Sequence, residues 1–494
     1  MWAFFCLYIM KFILRLFPEI SIKSKPVRNR LIKNLQQNLV NVGRHHQVGL
    51  HVYSQWDKII VHFDENVTKT QAVTELSRIP GIHSFMEVVE FEFQTLEDIF
   101  EGSREYLGHL IENKTFALRV RRRGNHEFTS QQAERIIGGM YKAHYPNLGV
   151  NLSHPDVTLN IEIDSNKAFI ITDRYQGLGG FPVSSQGEVI SLISGGFDSG
   201  VSTYNAIRRG LKVNYLFFNM GGTAHEIGVK QESYFIWDRF ASSQRVKFTT
   251  VPFEKIVGQI LERTHHGVRG VILKRMMVRV ASKLAKRYEI DGIVTGESVG
   301  QVSSQTLINL SHIDKASEVL VLRPLIMSDK QDIIDTAQRI GTAGFAESMP
   351  EYCGVISDHP NVCPKESFIL EQEALMDDNL VEMAVNEART IDIKDIPQDT
   401  ARLETDVEVV EDLNFHDVVI DVRAPDDALK NPLVIEGHEV ITMPFYKVAQ
   451  DFESLDKLKS YALYCDQGVM SLMQARQLKE MGYHNVKVYR QKGA

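Results

Sequence analysis

Four runs rich in aliphatic residues, separated by helical patterns, constrain the fold of this chain more than any other feature: Val189–Ile193, Val213–Phe218, Val246–Val251 and Ile290–Thr295. Strands buried on both faces read as apolar runs rather than as alternating ones, and helices between them supply the cover. The pattern predicts a doubly wound parallel α/β sheet over roughly residues 187–350. In such sheets ligands gather at the carboxyl ends of the strands.

The first run leads straight into Ser194-Gly195-Gly196-Phe197-Asp198-Ser199, with a helix predicted over about Ser199–Arg209. Two glycines allow a tight turn, and successive N–H groups at a helix N-terminus make an anion cradle. Ser194 and Ser199 add hydroxyl donors. Asp198 would repel bare phosphate, so its carboxylate fits Mg²⁺ or an oriented water better. The G-K-[ST] of a Walker A loop is missing. Downstream, Gly296 closes another predicted strand, and Lys274, Arg275 and Arg279 sit on a helix near that edge. Gln305, Arg323, Asp329 and Lys330 follow. Singly, each basic residue reads as a solvated side chain; the grouping points to a nucleotide. The plain alternative is a Gly-rich turn without a ligand.

The chain has 494 residues, too many for one core, and a net charge of −8. That average hides an asymmetry. Residues 10–60 hold nine Lys/Arg against two acids, a balance of +7, whereas residues 366–412 hold fifteen Asp/Glu against three bases, a balance of −12. The front could attract a polyanion and the late segment would repel one. The apolar start before Lys11 is too short to span a bilayer and lacks a basic n-region and a small-residue cleavage site. We read Met10 as the natural start. Four cysteines (Cys6, Cys353, Cys363, Cys465) make no disulfide framework, which fits a reducing, cytoplasmic setting.

The flanking regions read as smaller α+β units. Residues 10–80 show a basic-apolar strand, a basic helix near Val27–Val40, two strands and a helix from Lys69 to Ser77. In 81–180, Thr115–Arg122 is a strand with arginines on its polar face, followed by a helix at Ser130–Tyr141 and a hairpin. The acidic stretch 366–412 reads as a helix and a solvated linker, and 413–494 as a compact α/β unit.

In that last unit the buried-strand pattern Tyr461–Tyr464 ends at Cys465, and Asp466-Gln467-Gly468 turn into a helix. A thiol facing a helix N-terminus is stabilised as thiolate, and the same cradle would hold a persulfide. Cys-dependent phosphatases need an arginine six residues after the cysteine; here that residue is Ser471, which favours sulfur transfer. A buried structural cysteine is the alternative, and the polar turn argues against deep burial. Cys353 and Cys363 do not have zinc spacing. Cys353 is the better candidate for a functional thiol and Cys363 for a structural one.

Taken together, L-I-S-G-G-F-D-S, R-G-V-I-L-K-R-M-M, E-Y-C-G-V-I-S and Y-C-D-Q-G-V-M-S resemble the tRNA 4-thiouridine sulfurtransferases, a family also known for thiamine thiazole synthesis. The resemblance covers the chain from Met10. It implies a ferredoxin-like domain at 10–80, a THUMP domain at 81–180, a PP-loop ATP pyrophosphatase domain at 181–365, the acidic linker at 366–412 and a rhodanese-like domain at 413–494. It implies ATP contacts at Leu192, Ile193, Ser194, Gly195, Gly196, Phe197, Ser199, Phe217, Phe218, Lys274, Gly296 and Gln305, with Asp198 and Lys330 required for activation and Mg²⁺ at Asp198. The persulfide cysteine maps onto Cys465 and its disulfide partner onto Cys353; Gln467 stands where some relatives carry arginine. Arg119, Arg121, Arg122 and Arg123, with Lys23, Lys25 and Arg28, would meet tRNA phosphates. The implied reaction adenylates a uridine oxygen, takes sulfur from a cysteine desulfurase through Cys465 and needs a reductant to clear the disulfide.

Two other functions fit parts of the sequence. One is a sulfur carrier that mainly serves the thiazole sulfur-carrier protein. The other is a tRNA-binding module with an inactive nucleotide site, which the intact S-G-G-F-D-S argues against. A cluster-dependent thiolase acting at C2 of a pyrimidine would need a C-x-x-C pair, which is absent.

Overall fold

A computed structural model of the chain describes residues 10–55, 58–220, 222–349, 359–399, 407–423, 425–466 and 468–491. They fall into two compact units that divide after Pro182.

The first unit is built on one eight-stranded sheet. Its strands are β1 (Lys11–Leu16), β2 (Leu50–Gln55), β3 (Lys58–Phe63), β4 (Ile82–Glu92), β5 (Thr115–Arg123), β6 (Gly149–Val150), β7 (Val157–Asp164) and β8 (Lys167–Gln176), in the order β2-β3-β1-β4-β8-β7-β5-β6. The two domains expected from the sequence share this sheet, because β4 pairs antiparallel with β1 along one edge and with β8 along the other. The short α1 (Pro18–Ser21) precedes α2 (Lys25–His45), whose Leu31, Leu35, Leu39 and Val42 are buried at helical spacing against Phe12, Leu14 and Phe63. The helices α3 (Lys69–Ser77), α4 (Leu96–Ile111) and α5 (Ser130–His144) each begin with a threonine capping box, at Thr68, Thr95 and Thr129. Each box satisfies two backbone N–H groups that a helix start leaves unpaired. Along β5, Phe116, Leu118 and Val120 are buried under α4 and α5 while Arg119, Arg121 and Arg123 are exposed.

The second unit holds two parallel sheets. In the larger, β9 (Glu188–Leu192), β10 (Lys212–Asn219), β11 (Lys247–Pro252), β12 (Gly292–Val294) and β13 (Leu320–Leu322) are parallel, and β14 (Arg389–Asp392) adds an antiparallel edge beside β11. The order is β13-β12-β9-β10-β11-β14, so the chain reverses direction next to β9, where a ligand crevice is expected. The helices are α6 (Phe197–Arg208), α7 (Gly222–Phe240), α8 (Glu254–Arg263), α9 (Arg269–Arg287), α10 (Leu307–Asp314), α11 (Lys330–Ile340) and α12 (Ala343–Ser348).

The acidic segment departs from the solvated linker that its charge suggests. Through residue 399 it folds as α13 (Glu366–Glu373), α14 (Leu380–Glu387), β14 and α15 (Ile396–Asp399). Ile369, Met376, Leu380, Ala384 and Val385 lie in one core with Leu216 and Ile272. Glu373 accepts from Arg275 at 2.5 Å and from Arg279 at 2.7 Å. Its acids are therefore partners for the basic face of α9, and its apolar residues keep helical spacing beneath them. Residues 400–406 lie outside those described.

The smaller sheet has the order β15-β19-β18-β16-β17, from β15 (Val409–Val410), β16 (Asp417–Asp421), β17 (Val440–Thr442), β18 (Ser460–Tyr464) and β19 (Val486–Tyr489), all parallel. It is flanked by α16 (Pro425–Lys430), α17 (Phe445–Asp451) and α18 (Val469–Glu480). Phe345 of α12 is buried in the same cluster as Ile420, Phe445 and Cys465, and Phe235 of α7 packs against it, so helices of the larger-sheet half share an apolar core with the smaller sheet. No helix among the described residues is long and apolar enough to cross a membrane.

Candidate nucleotide and sulfur sites

β9 ends at Leu192, and the chain turns through Ser194-Gly195-Gly196 into α6. Gly195 has φ +88°, and a methyl group there would lie 2.0 Å from Met349 Sδ. Only glycine meets both demands. The Ser199 hydroxyl knits the turn: it receives the Ser194 N–H at 3.2 Å and donates to the Gly196 carbonyl at 3.0 Å. His225 of α7 bonds the Ser194 carbonyl through Nε2 at 3.0 Å. Burial holds His225 below the usual imidazole value, so the neutral ring donates through that nitrogen. Gly296, at the end of β12, lets that strand approach the loop closely: a methyl group there would lie 2.7 Å from the Asp198 carbonyl carbon.

Asp198 is gripped on both oxygens. Oδ1 accepts from Lys330 Nζ at 2.8 Å and Oδ2 from Gln301 Nε2 at 2.8 Å. The Lys330 ammonium also lies 5.6 Å from the Phe197 ring centroid. Lys274 donates to Glu297 at 3.0 Å, and Glu297 also accepts from Arg323 at 2.8 Å. Gln305, a sequence candidate for ATP, accepts the Ser298 N–H at 3.2 Å and thereby pins the loop that carries Gln301. Phe217 and Phe218 close the end of β10 as buried rings, against His225 and Phe253 respectively. Arg275 and Arg279, expected near the nucleotide edge, point instead to Glu373. A hard-oxygen ligand for Mg²⁺ is present in Asp198, provided Gln301 or Lys330 yields one carboxylate oxygen. Sequence reasoning passes over Gln301, Glu297, His225 and Met349; Glu297 alone carries a signal, as the neighbour of Gly296 in V-T-G-E-S.

At the other sheet, Cys465 follows β18, and its sulfur is served by Ser471. The Ser471 N–H donates to Sγ at 3.3 Å, and Sγ lies 3.4 Å from the Ser471 hydroxyl. Serine thus takes the place a phosphatase gives to arginine. Contrary to the sequence reading, the thiol is buried, 8% exposed. Burial pushes its pKa up, and the Ser471 bonds oppose that without overcoming it, so the resting form is a thiol rather than a thiolate. The polar turn misleads because the cover comes from elsewhere: Phe345 of α12, with Phe235 of α7 and Met349, belongs to the apolar cluster that contains Cys465. Arg423 holds Asp421 at 2.7 Å and Asp466 at 3.1 Å, which ties the β16 end to the cysteine turn. Cys363 is exposed, not structural as expected. Cys353 and Gln467 lie outside the described residues.

In the first unit the sheet adds cations that the sequence does not single out. Glu162 accepts from Arg15 and, at 2.8 Å, from Lys58, while Arg121 pairs with it in register across β5 and β7. Burial would raise its pKa, but Lys58, Arg15 and Arg121 hold it below the usual carboxylate range. Burial, then Arg121, lowers the Arg174 value. One carboxylate therefore faces four cations, and the surplus suits a polyanion. Arg119 donates to the Leu152 carbonyl at 2.7 Å and Arg122 to Gly124 at 3.2 Å, so both are fixed by backbone acceptors. Arg28, half-buried in the first turn of α2, donates to the Ser21 carbonyl at 3.3 Å, near exposed Lys23 and Lys25.

Protein-family models match the chain in four stretches: the ThiI ferredoxin-like domain over 11–86, the THUMP domain over 93–173, the thiamine biosynthesis protein (ThiI) over 184–377 and the rhodanese-like domain over 405–491. The chain is 49% identical over 484 residues to the tRNA sulfurtransferase of Tolumonas auensis, covering 98% of this chain and 100% of that protein. It is 50% identical over 481 residues to the tRNA sulfurtransferase of Photorhabdus laumondii, covering 97% and 100%. Among solved structures it resembles a 4-thiouridine synthetase in complex with RNA and ATP, with a TM-score of 0.68 and 24% identity over 78% of this chain and 99% of that one. At that identity the likeness speaks to the fold.

Proposed function

The chain belongs to the tRNA sulfurtransferase family, and from that premise we propose that it thiolates C4 of the uridine at position eight of tRNA, using ATP and a Cys465 persulfide. The observation that carries the reading is one compact unit with both halves of the chemistry. Asp198 stands between Lys330 and Gln301 at a phosphate loop, and the Cys465 thiol is cradled by Ser471 against α7, the helix that also bonds Ser194.

In the first half-reaction the uridine O4 attacks the α-phosphate of ATP and pyrophosphate leaves. The loop N–H groups and Lys274 meet the phosphate charge, and Lys330 neutralises what develops at the transferred group. C4 then carries AMP as a leaving group. In the second, the terminal persulfide sulfur attacks C4 and AMP departs with the oxygen. The Cys353 thiolate then attacks Cys465 Sγ, which frees the C4 sulfur and leaves a Cys353–Cys465 disulfide. Release of sulfide by Cys353 before attack gives the same end products. A cysteine desulfurase supplies the persulfide and a dithiol reductant resets the pair. Mg²⁺ accompanying ATP would be held at Asp198 and would supply charge neutralisation on the phosphates. These partners fit a cytoplasmic setting.

The match to a thiamine biosynthesis model favours a second use, sulfur donation from Cys465 to the thiazole sulfur-carrier protein, which needs the small sheet and not the phosphate loop.

The test is reconstitution with ATP, unmodified tRNA, cysteine and a desulfurase, read by mass analysis of tRNA nucleosides. We expect 4-thiouridine, with AMP and pyrophosphate released. Asp198→Ala should still load persulfide on Cys465 but give no thiolated tRNA. Thiolation without ATP, or on another nucleoside, would refute the reading.

A further inference from the structure

Behind Lys274 stands a carboxylate that the proposed chemistry does not use. Glu297 is 6% exposed at the carboxyl end of β12. A carboxylate so buried is costly unless charge and hydrogen bonds compensate it. Three donors do so here: Lys274 Nζ at 3.0 Å on Oε1, and Arg323 Nε at 2.8 Å and Thr295 Oγ1 at 3.1 Å on Oε2. Arg323 is itself held by Asp314 at 2.7 Å. A chain of ion pairs thus runs from exposed Asp314 on α10, through Arg323 and Glu297, to Lys274 on α9.

The two ends of Lys274 differ. Its ammonium is bonded to Glu297, yet the side chain keeps 20% exposure. A free lysine samples many rotamers and is a poor orienter of an anion. Fixed by a carboxylate that cannot move, it has given up that freedom before the ligand arrives, and affinity rises by the amount no longer spent on binding.

We propose that Glu297 is a positioning residue for ATP: it holds the Lys274 ammonium in the orientation in which it meets the phosphates. The inference rests on the reading that Lys274 contacts ATP. Glu297 touches neither nucleotide nor tRNA and acts through Lys274.

The test is a double-mutant cycle on the full chain, with ATP affinity measured by calorimetry for the parent, Lys274→Met, Glu297→Gln and the double variant. Each single change should weaken ATP about fivefold or more. Because both remove the same interaction, Glu297→Gln should add less than about twofold in the Lys274→Met background. In turnover, Glu297→Gln should raise the KM for ATP while Cys465 persulfide loading stays at the parent rate. Additive losses would overturn the proposal, as would parent-like ATP affinity in Glu297→Gln; both leave Lys274 as an ATP contact. Parent-like affinity in Lys274→Met would overturn the proposal together with the ATP role of that lysine. If Glu297→Gln fails to fold by circular dichroism, Glu297→Asp replaces it. That variant keeps the charge but withdraws it from Lys274, and the same cycle decides.

Discussion

Gln474 on α18 donates its side-chain Nε2 to the side-chain Oε1 of Gln231 on α7 at 3.1 Å, so the helix that follows the Cys465 turn is bonded to the helix that flanks the phosphate loop. The pair is buried and incompletely matched. Gln231 Nε2, Gln474 Oε1 and, nearby on α18, Arg476 Nε have no partner among the described residues. Water would satisfy all three on separation, which lowers the cost of opening this interface relative to an apolar one of the same size. The aromatic cluster of Phe235, Phe345 and Phe445, with ring centroids 4.3–5.6 Å apart, opposes that opening. We therefore expect the smaller sheet to separate from α7 at times, with the aromatic cluster setting how often.

Phe235→Asp should release it. A buried carboxylate amid aromatic rings favours the open form. The alkylation rate of Cys465 by iodoacetamide, followed by peptide mass analysis, should rise by about tenfold, a shift in opening of about 1.4 kcal/mol. Alkylation as slow as in the parent would mean that the interface does not control access to the thiol.

Glu232 on α7 gives a pH-dependent stability. It is fully buried, neither oxygen has a partner among the described residues, and burial pushes its pKa from 4.5 up to about 8. Its stabilising contribution is complete below the ordinary carboxylate pKa, where it is neutral in both states. That contribution is lost as pH rises through the window from 4.5 to about 8, because the folded form keeps a proton that the unfolded form gives up. The loss is about 1.4 kcal/mol per pH unit inside the window. Glu232→Gln removes the titration. Scanning calorimetry should show the variant matching the parent near pH 4 and melting higher at pH 8, the gap widening between. An equal gap at both pH values would contradict a buried acid.

The phosphate loop is legible in the sequence because strand, glycines, hydroxyls and carboxylate are consecutive in the chain. What surrounds it is not. Gln301 and Glu297 carry no spacing signature, and their roles arise only where β9, β12 and the loop after β12 converge. The joint sheet of the first unit escapes because strand pairing is non-local, and nothing along β4 says that both its edges are used. The acidic segment misleads because its −12 balance masks the apolar spacing of Ile369, Leu380 and Ala384. The burial of Cys465 depends on Phe235 and Phe345, more than a hundred residues upstream.

The cation surplus around Glu162 sets an RNA prediction. Arg121→Glu with Arg174→Glu should weaken tRNA binding and reduce the slope of log affinity against log salt by about two, one for each phosphate that the variant no longer neutralises. ATP affinity should be unchanged. Filter binding at several salt concentrations tests this; an unaltered slope would remove the patch from the RNA surface.

The last expectation concerns the end of turnover. Met349 packs on the phosphate-loop glycine Gly195 and belongs to the cluster around Cys465. Cys353 follows four residues later, outside the described residues. A disulfide with Cys465 requires Cα atoms within about 7 Å. It also requires that the Cys465 sulfur, now buried, be uncovered to the Cys353 thiolate that attacks it. We therefore expect the bridge to form in the same step that frees the C4 sulfur from Cys465, and so in step with product. A single turnover of persulfidated chain with ATP and tRNA, quenched without reductant and mapped by peptide mass, should give the Cys353–Cys465 bridge in proportion to 4-thiouridine, and none without ATP. Cys353→Ser should slow multiple turnover by at least about tenfold, because attack on the persulfide then has no resolving thiol. Parent-like multiple turnover in that variant, or a bridge through exposed Cys363, would assign the resolving role elsewhere.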